Sequence, residues 1–370
     1  MSNFKKPSGI QIIGTQRSGS NLLRVILDQS AEIASPHPPH ILVTFVPLLQ
    51  LYGELDTNTY KALINDVVSY VEANPVPWEG IKLNRDWIFE NSQSYSLFEI
   101  NRLVYEQAAI HKNAKYWCCK SMANVHYADE LEKYNPGLKY IYLYRDGRDV
   151  AVSFKKTIVG EKHIYNLASQ WTKDQAACIK LAESIGEDRF FSLNYETLIQ
   201  QPEAVIRKLC RFLDIPYSEN MLDFYHSNES KTTAAAGEMW QNLEKPIISN
   251  NTGKFHKELT KEEIEIFELV SQDVLRKLNY PLFTSLADLN LVSVSAKSLI
   301  FNTGGTLAAN NRGGISATGF WSVNGGVIDT KLPDSSSSIP ANGSLIVADY
   351  YQIPLGTTTS IGLGATMRIL

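Results

Sequence analysis

Cysteine is scarce in this chain, and its placement excludes two common uses. The four cysteines among 370 residues are Cys118, Cys119, Cys178 and Cys210. An adjacent pair suits neither a disulfide framework nor the spacing of a zinc site. All four lie in apolar surroundings, so they read as core residues of a protein kept in a reducing compartment. Long apolar runs are also missing. The most apolar stretch, Ile41 to Leu51, is far shorter than the roughly 20 residues that span a bilayer. Met1 to Pro7 is polar and lysine-bearing, with no apolar signal region behind it. The expectation is a soluble, cytoplasmic protein without a transmembrane segment. Neither charge sign is in excess: the formal net charge is -4, so nucleic acid is not an expected partner. There is no metal-ligand cluster, and no metal is expected. None of these features speaks to oligomeric state.

What is present centres on one stretch, Ile10-Gln11-Ile12-Ile13-Gly14-Thr15-Gln16-Arg17-Ser18-Gly19-Ser20-Asn21-Leu22-Leu23. A short apolar run, then small and polar residues, then apolar positions at helical spacing predict buried strand, tight loop and helix. A loop of that kind wraps an anion, because its N–H groups point inward and the helix N-terminus adds roughly half a positive charge. Gly14 and Gly19 have the spacing of a nucleotide-triphosphatase loop, but Ser20 and Asn21 stand where its lysine and hydroxyl residue belong. The positive charge comes earlier, at Arg17. One arginine and no evident magnesium ligand suit a phosphate–sulfate anhydride better than ATP with magnesium. A plain strand-to-helix turn is the competing reading.

Further along, Ser35-Pro36-His37-Pro38-Pro39-His40 cannot be helical. It puts His37 and His40 on an extended segment soon after the loop helix, where an imidazole could take a proton near neutrality. Structural histidines in a rigid turn are the alternative. Residues 41–112 read as helical and irregular, with apolar periodicity over Tyr60 to Val71 and Ser94 to Ile110, and with aromatics able to line an acceptor pocket or a core. Tyr116 to Cys119 is a short strand ending at Lys120 and Ser121, and Asn124 is placed to cap the helix that follows. Lys139 to Tyr144 is a strong strand running into Arg145-Asp146-Gly147-Arg148-Asp149. Ser153 lies about two helical turns beyond Arg145. An arginine fork and a serine hydroxyl can share a phosphate. A surface charge cluster is the other possibility.

A long amphipathic helix over Ile164 to Leu181, a strand over Phe190 to Leu193 followed by Tyr195-Glu196, and a helix opened by Pro202 continue the alternation. Strand–helix alternation with long crossovers implies a parallel sheet. The fold class expected is α/β, a P-loop NTPase-like three-layer fold with a central parallel sheet. Residues 227–256 read as a polar loop, a candidate lid, and Thr260-Lys261-Glu262-Glu263 is a capping box opening the last helix. From residue 286 onward glutamate is absent and Gly, Ser, Thr and Asn dominate. We expect a domain over 1–284 and an extension over 285–370 that is either β-rich, with Ser344 to Ala348 as one strand and a turn at Asn324-Gly325, or poorly ordered.

The loop Gly14 to Leu23, the segment Tyr144 to Ser153 and Tyr195-Glu196, in that order and spacing, resemble the sulfotransferase family over about residues 8–280. The resemblance implies a donor, 3'-phosphoadenosine 5'-phosphosulfate, and in-line transfer of its sulfuryl group to a hydroxyl or amine of a small-molecule, carbohydrate or lipid acceptor. It implies that Arg17, Ser18, Gly19, Ser20 and Asn21 hold the 5'-phosphosulfate and that Arg145 and Ser153 hold the 3'-phosphate. Tyr195 would lie near the nucleotide, with Gly253 and Lys254 in a segment closing over it. Arg17 and Lys120 would stabilise developing charge. The chain departs from the family at the base. Met122 follows Lys120-Ser121 where cytosolic members place a histidine, and His37, Pro38 and His40 occupy the region where protein-tyrosine members carry a glutamate. His37 or His40 is therefore the expected base, ahead of Glu32 and His126. Leu22 replaces the family's donor-stacking tryptophan. A nucleotide or small-molecule kinase and a non-catalytic nucleotide-binding module are the alternatives.

Overall fold

In the computed structural model the described residues are 6–158, 160–285 and a set of short strands beyond residue 298. Five short strands make the central sheet: β1 (Ser8–Gly14), β2 (Ile33–Ala34), β3 (Tyr116–Cys119), β4 (Lys139–Tyr144) and β5 (Phe190–Asn194). Their order is β2-β3-β1-β4-β5, and every pairing is parallel. The expected α/β architecture with a parallel sheet is what the chain forms.

Alternation along the strands decides which core each side chain joins. Ile13, Trp117, Cys119, Tyr140 and Tyr142 face one cluster, with the helices Thr57–Glu72, Leu97–Lys112 and Ile164–Ser184. Ile10, Ile12, Cys118, Ile141 and Leu143 face the other, with α1 (Ser20–Asp28) and the helices Tyr195–Gln200 and Pro202–Leu213. Both faces of the sheet are covered, which is why its strands are apolar runs rather than half-polar ones. All four cysteines are free and buried. Most aromatics of residues 41–112 are packing elements: Tyr60 stacks on Tyr95, and Trp78 lies against Tyr105.

The helix starts follow local chemistry. Thr260 and Glu263 form the expected capping box. Pro202 stands in the first turn of its helix, where its missing N–H costs nothing. Two expectations are corrected. Asn124 caps no helix; it lies inside a 3-10 turn, Met122–Tyr127, and its amide donates to the Gln11 side chain between the layers. Residues 227–256 are not one loop. Asn228–Ala235 is an α-helix capped by Ser227 and Glu238–Glu244 a 3-10 turn, so the long irregular stretch is Lys245 to Lys254. The composition of 227–237 is polar, but a short helix with three buried residues needs few apolar ones.

The chain divides into two compact units, Met1–Phe267 with Ser271–Pro281, and Glu268–Val270 with Leu282–Leu370. In the second, Ser344–Val347 is a strand, paired antiparallel with Trp321–Asn324 and parallel with Thr366–Ile369. Asn324 faces Val327 in an antiparallel register. The turn residues Gly325 and Gly326 lie outside the described residues.

Candidate active site

Every strand of the sheet delivers a candidate residue at its carboxyl end, where ligands of open α/β sheets bind. The His37–His40 segment follows β2, Lys120 follows β3, the Arg17–Asn21 loop follows β1, Arg145 follows β4 and Tyr195 follows β5. Five pieces far apart in sequence thus meet on one edge because the strands are parallel and adjacent.

The loop after β1 is shaped by close approaches. Gly14 has φ +135, and a Cβ there would sit 2.3 Å from the Leu143 carbonyl oxygen. Gly19, at φ +87, would drive a Cβ to 2.4 Å from the Tyr195 ring. Arg17 itself is left-handed, with φ 70, a conformation a non-glycine residue adopts at some cost. Buried Thr15 is held by Gln175, whose amide donates over 2.7 Å and whose carbonyl accepts from the Tyr142 hydroxyl at 2.6 Å. No side chain caps α1, so the first N–H groups of that helix remain available to a ligand.

Around this loop several polar groups are cationic, and two are buried without a partner. The Ser18 hydroxyl and the Arg145 Nε are buried without a hydrogen-bond partner. Orphaned buried donors are costly, and native proteins keep few of them. Arg145 is 5% exposed. It donates to the carbonyls of Arg17 (3.2 Å) and Asn251 (2.9 Å) and lies over the Tyr195 ring. Arg17 donates from Nε to the Ser153 hydroxyl at 3.0 Å. Burial, then the neighbouring Arg145, lowers the pKa of Arg17. The acids in Arg145-Asp146-Gly147-Arg148-Asp149 do not form a surface cluster. Asp146 pairs with Arg148, and Asp149 is buried beneath the closing segment.

Lys120 is 6% exposed, and among the described residues no carboxylate pairs with it. Burial, with Arg24 and Arg17 as neighbouring cations, pushes its pKa down to about 7. His37 and His40 share its surroundings. His37 is 7% exposed with neither ring nitrogen in a hydrogen bond, and burial, Arg24 and Lys120 push its pKa down to about 2 against a weaker raising influence of Asn74. Its ring meets the edge of Trp240, and its carbonyl accepts from the Trp78 indole at 2.7 Å. His40 is only half-buried and left-handed (φ 59); burial and Lys120 lower its pKa to about 4.

The two weaker base candidates sit in different surroundings. Glu32 immediately precedes β2 and bonds through its carbonyl to Tyr116, so it lies at the amino end of the sheet, opposite the loop. His126 is engaged by Asp174 at 2.8 Å. The Gly253 N–H donates to Asp149 at 2.7 Å, in the helix Gly147–Lys156 that follows Arg145, while the Lys254 side chain is exposed.

Sequence reading missed four residues here. Asp149 also accepts from the Phe255 N–H at 3.0 Å, so one buried carboxylate pins the closing segment. Asn251 donates to the Tyr195 hydroxyl at 2.7 Å. Gln175 fixes Thr15, and Arg24 donates to the Ser35 carbonyl and to Glu229. Asp149 carried a signal, an acid four residues after Arg145; the others were indistinguishable from ordinary polar positions.

The sulfotransferase family model matches residues 7–219. This chain belongs to the sulfotransferase family. Its sequence is 25% identical over 218 residues to protein-tyrosine sulfotransferase A of Caenorhabditis elegans, covering 58% of this chain and 51% of that one. It is also 25% identical over 286 residues to an uncharacterised protein of Aquifex aeolicus (strain VF5), covering 71% of this chain and 34% of that one. The chain therefore spans about half the length of the first of these relatives and about a third of the second. Among solved structures, the sulfotransferase domain from the Synechococcus PCC 7002 olefin synthase superposes with a TM-score of 0.55 at 22% identity, covering 75% of this chain and 97% of that domain. At that identity the likeness concerns the fold.

Proposed function

We propose that this protein transfers a sulfuryl group from 3'-phosphoadenosine 5'-phosphosulfate to an acceptor hydroxyl or amine. The observation that carries the reading is the collection at one sheet edge of an uncapped helix start, Arg17, Lys120 and Arg145 without balancing carboxylates on the first two, and two orphaned buried donors, Ser18 Oγ and Arg145 Nε. Such a set fits a dianion approached from several sides. The kinase alternative is not favoured, since the loop lacks the lysine and hydroxyl pair that ATP and magnesium need.

The donor supplies an activated sulfur and a phosphate leaving group. Ser18, Gly19, Ser20, Asn21 and Arg17 would hold its phosphosulfate, and Arg145 with Ser153 its 3'-phosphate. Arg17 and Ser153 now satisfy each other, so each exchanges that hydrogen bond for a donor oxygen. Tyr195 would contact the nucleotide, and Gly253 and Lys254 would close beside it. Lys120 in its cationic form stabilises charge on the bridging oxygen. Preorganised donors of this kind are typically worth about 3–4 kcal/mol each. His40 takes the acceptor proton as the new bond forms, because it is the more accessible of the two imidazoles and the less depressed; His37 keeps its neutral ring behind it. Trp78 and Trp240 make the adjoining wall aromatic, which favours an acceptor hydroxyl on an apolar or aromatic body, a small molecule or lipid before a carbohydrate. We assign transfer to residues 1–284, without a metal, in a reducing compartment such as the cytoplasm; free buried cysteines support the last point. Among the described residues no helix is long and apolar enough to cross a membrane, and no group of three or more His, Cys, Asp or Glu side chains comes together.

Calorimetric binding of 3'-phosphoadenosine 5'-phosphate against AMP and ADP, with Arg145→Ala alongside, tests this. Micromolar binding that needs the 3'-phosphate and disappears in the variant is expected. Equal binding of the three nucleotides, or tighter ADP binding with magnesium, would overturn the reading. Binding without transfer to any phenol, alcohol or sugar would leave a nucleotide-binding module.

A further inference from the structure

Arg24 is fully buried, and its guanidinium touches the first turn of its own helix and two separate segments. Nε donates to the Asn21 side chain at 3.4 Å, at the end of the donor loop. Nη1 donates to the Ser35 carbonyl at 2.9 Å, at the start of the His37–His40 segment, and to Glu229 at 2.5 Å. Nη2 donates to the Thr233 hydroxyl at 2.8 Å. Glu229 and Thr233 belong to helix Asn228–Ala235, and the turn that follows carries Trp240, whose ring stands 5.3 Å from His37.

We propose that Arg24 is a positioning residue that couples the donor loop to residues 228–244, which act as a cap over the acceptor side of the site. The assignment of donor and acceptor sides rests on the sulfotransferase reading. A helix anchored for stability alone has no need of an arginine beside Lys120. Two buried cations in mutual range weaken the fold, and one carboxylate, Glu229, serves Arg24 only. The placement makes sense if the guanidinium fork has to report on the loop. When Asn21 and the start of α1 take up a ligand, Arg24 shifts or stiffens, and the cap and the Ser35 carbonyl follow. A lysine cannot replace it, since a single ammonium cannot reach Asn21, Ser35, Glu229 and Thr233 together.

Hydrogen exchange read by mass spectrometry on the full chain, with and without saturating 3'-phosphoadenosine 5'-phosphate, tests the coupling. In the wild type the nucleotide is expected to slow exchange of peptides within 228–244 by about tenfold. In Arg24→Met and Arg24→Lys the nucleotide still binds, but that slowing is lost. Glu229→Gln, which keeps the shape and one hydrogen bond, reduces it at least about threefold and serves if the Arg24 variants do not fold. Unchanged slowing in all variants overturns this proposal alone. Failure of the wild type to bind the nucleotide overturns it together with the sulfotransferase reading.

Discussion

The two sides of the site are built differently. On the donor side, β1 and β4 each lead directly into a loop and helix, and the candidate ligand groups are sequence neighbours: Arg17 to Asn21, then Arg145 to Ser153. On the proposed acceptor side, His37, His40, Lys120 and Trp240 come from three segments, held by contacts such as Arg24 to Glu229 across 205 positions. The donor is one chemical species with a demanding shape, so a contiguous motif can be tuned to it. An acceptor wall assembled from separate segments can change its lining without touching the donor loop. The contrast can be broken or sharpened by the following experiments.

The largest effect is expected at the proposed base. His40→Ala should lower kcat by about 10²–10⁴-fold with nucleotide affinity unchanged. If His37→Ala gives the larger loss, the two roles are exchanged, and if neither matters the base lies elsewhere. Next, Arg17→Ala should cost about 10²–10³-fold in transfer, with weakened binding of 3'-phosphoadenosine 5'-phosphate. A loss confined to the acceptor KM would place Arg17 on the wrong side of the comparison. Asp149→Asn should free the closing segment: its hydrogen bonds to the Gly253 and Phe255 N–H groups are charge-assisted, and nucleotide affinity should fall about tenfold while acceptor KM holds.

The pH profile is a smaller but signed effect. If His40 must be neutral and Lys120 cationic, kcat/KM falls below the His40 value near 4 and above the Lys120 value near 7, giving a bell between them. A plateau extending well past pH 7 would show that Lys120 acts uncharged or not at all. Stability has its own dependence. The folded His37 has a pKa below its usual value, so the unfolded chain takes up the proton first as pH falls below about 6.5. Stability is complete above that pH and declines towards acid, approaching about 1.4 kcal/mol per pH unit from this group. Urea unfolding at pH 7 and pH 5 should show a smaller drop for His37→Gln than for the wild type. Removing divalent metal with EDTA should leave the transfer rate unchanged; a rate restored by magnesium would remove the metal-free mechanism.

The sheet and the donor loop were legible because each depends on local pattern. A short apolar run before Gly14 can only be a buried strand entering a turn, and Arg145 at a strand end has to reach the carboxyl edge of the sheet. Asn124 and the 227–237 stretch were misread for the opposite reason. Asn124 is a good cap in isolation, but its amide is consumed by Gln11, and the helix at Asn228 is stabilised by a buried arginine distant in sequence. Arg24 illustrates the limit: in the sequence it is one cation on an amphipathic helix, and nothing nearby announces Glu229 or Thr233.

By itself, the sequence determined the α/β alternation, the strand–loop–helix at Gly14 to Leu23 and the order in which the candidate ligand groups reach one sheet edge, because strand period, glycine conformation and helix polarity act over a few residues. Tertiary structure alone decided that Lys120 has no carboxylate partner among the described residues, that Glu32 lies at the opposite edge, that the His37 ring meets Trp240 and that Asp149 holds the Gly253 and Phe255 N–H groups. Those outcomes depend on strand order and on burial. Burial sets charge states, and it exists only after distant segments have packed.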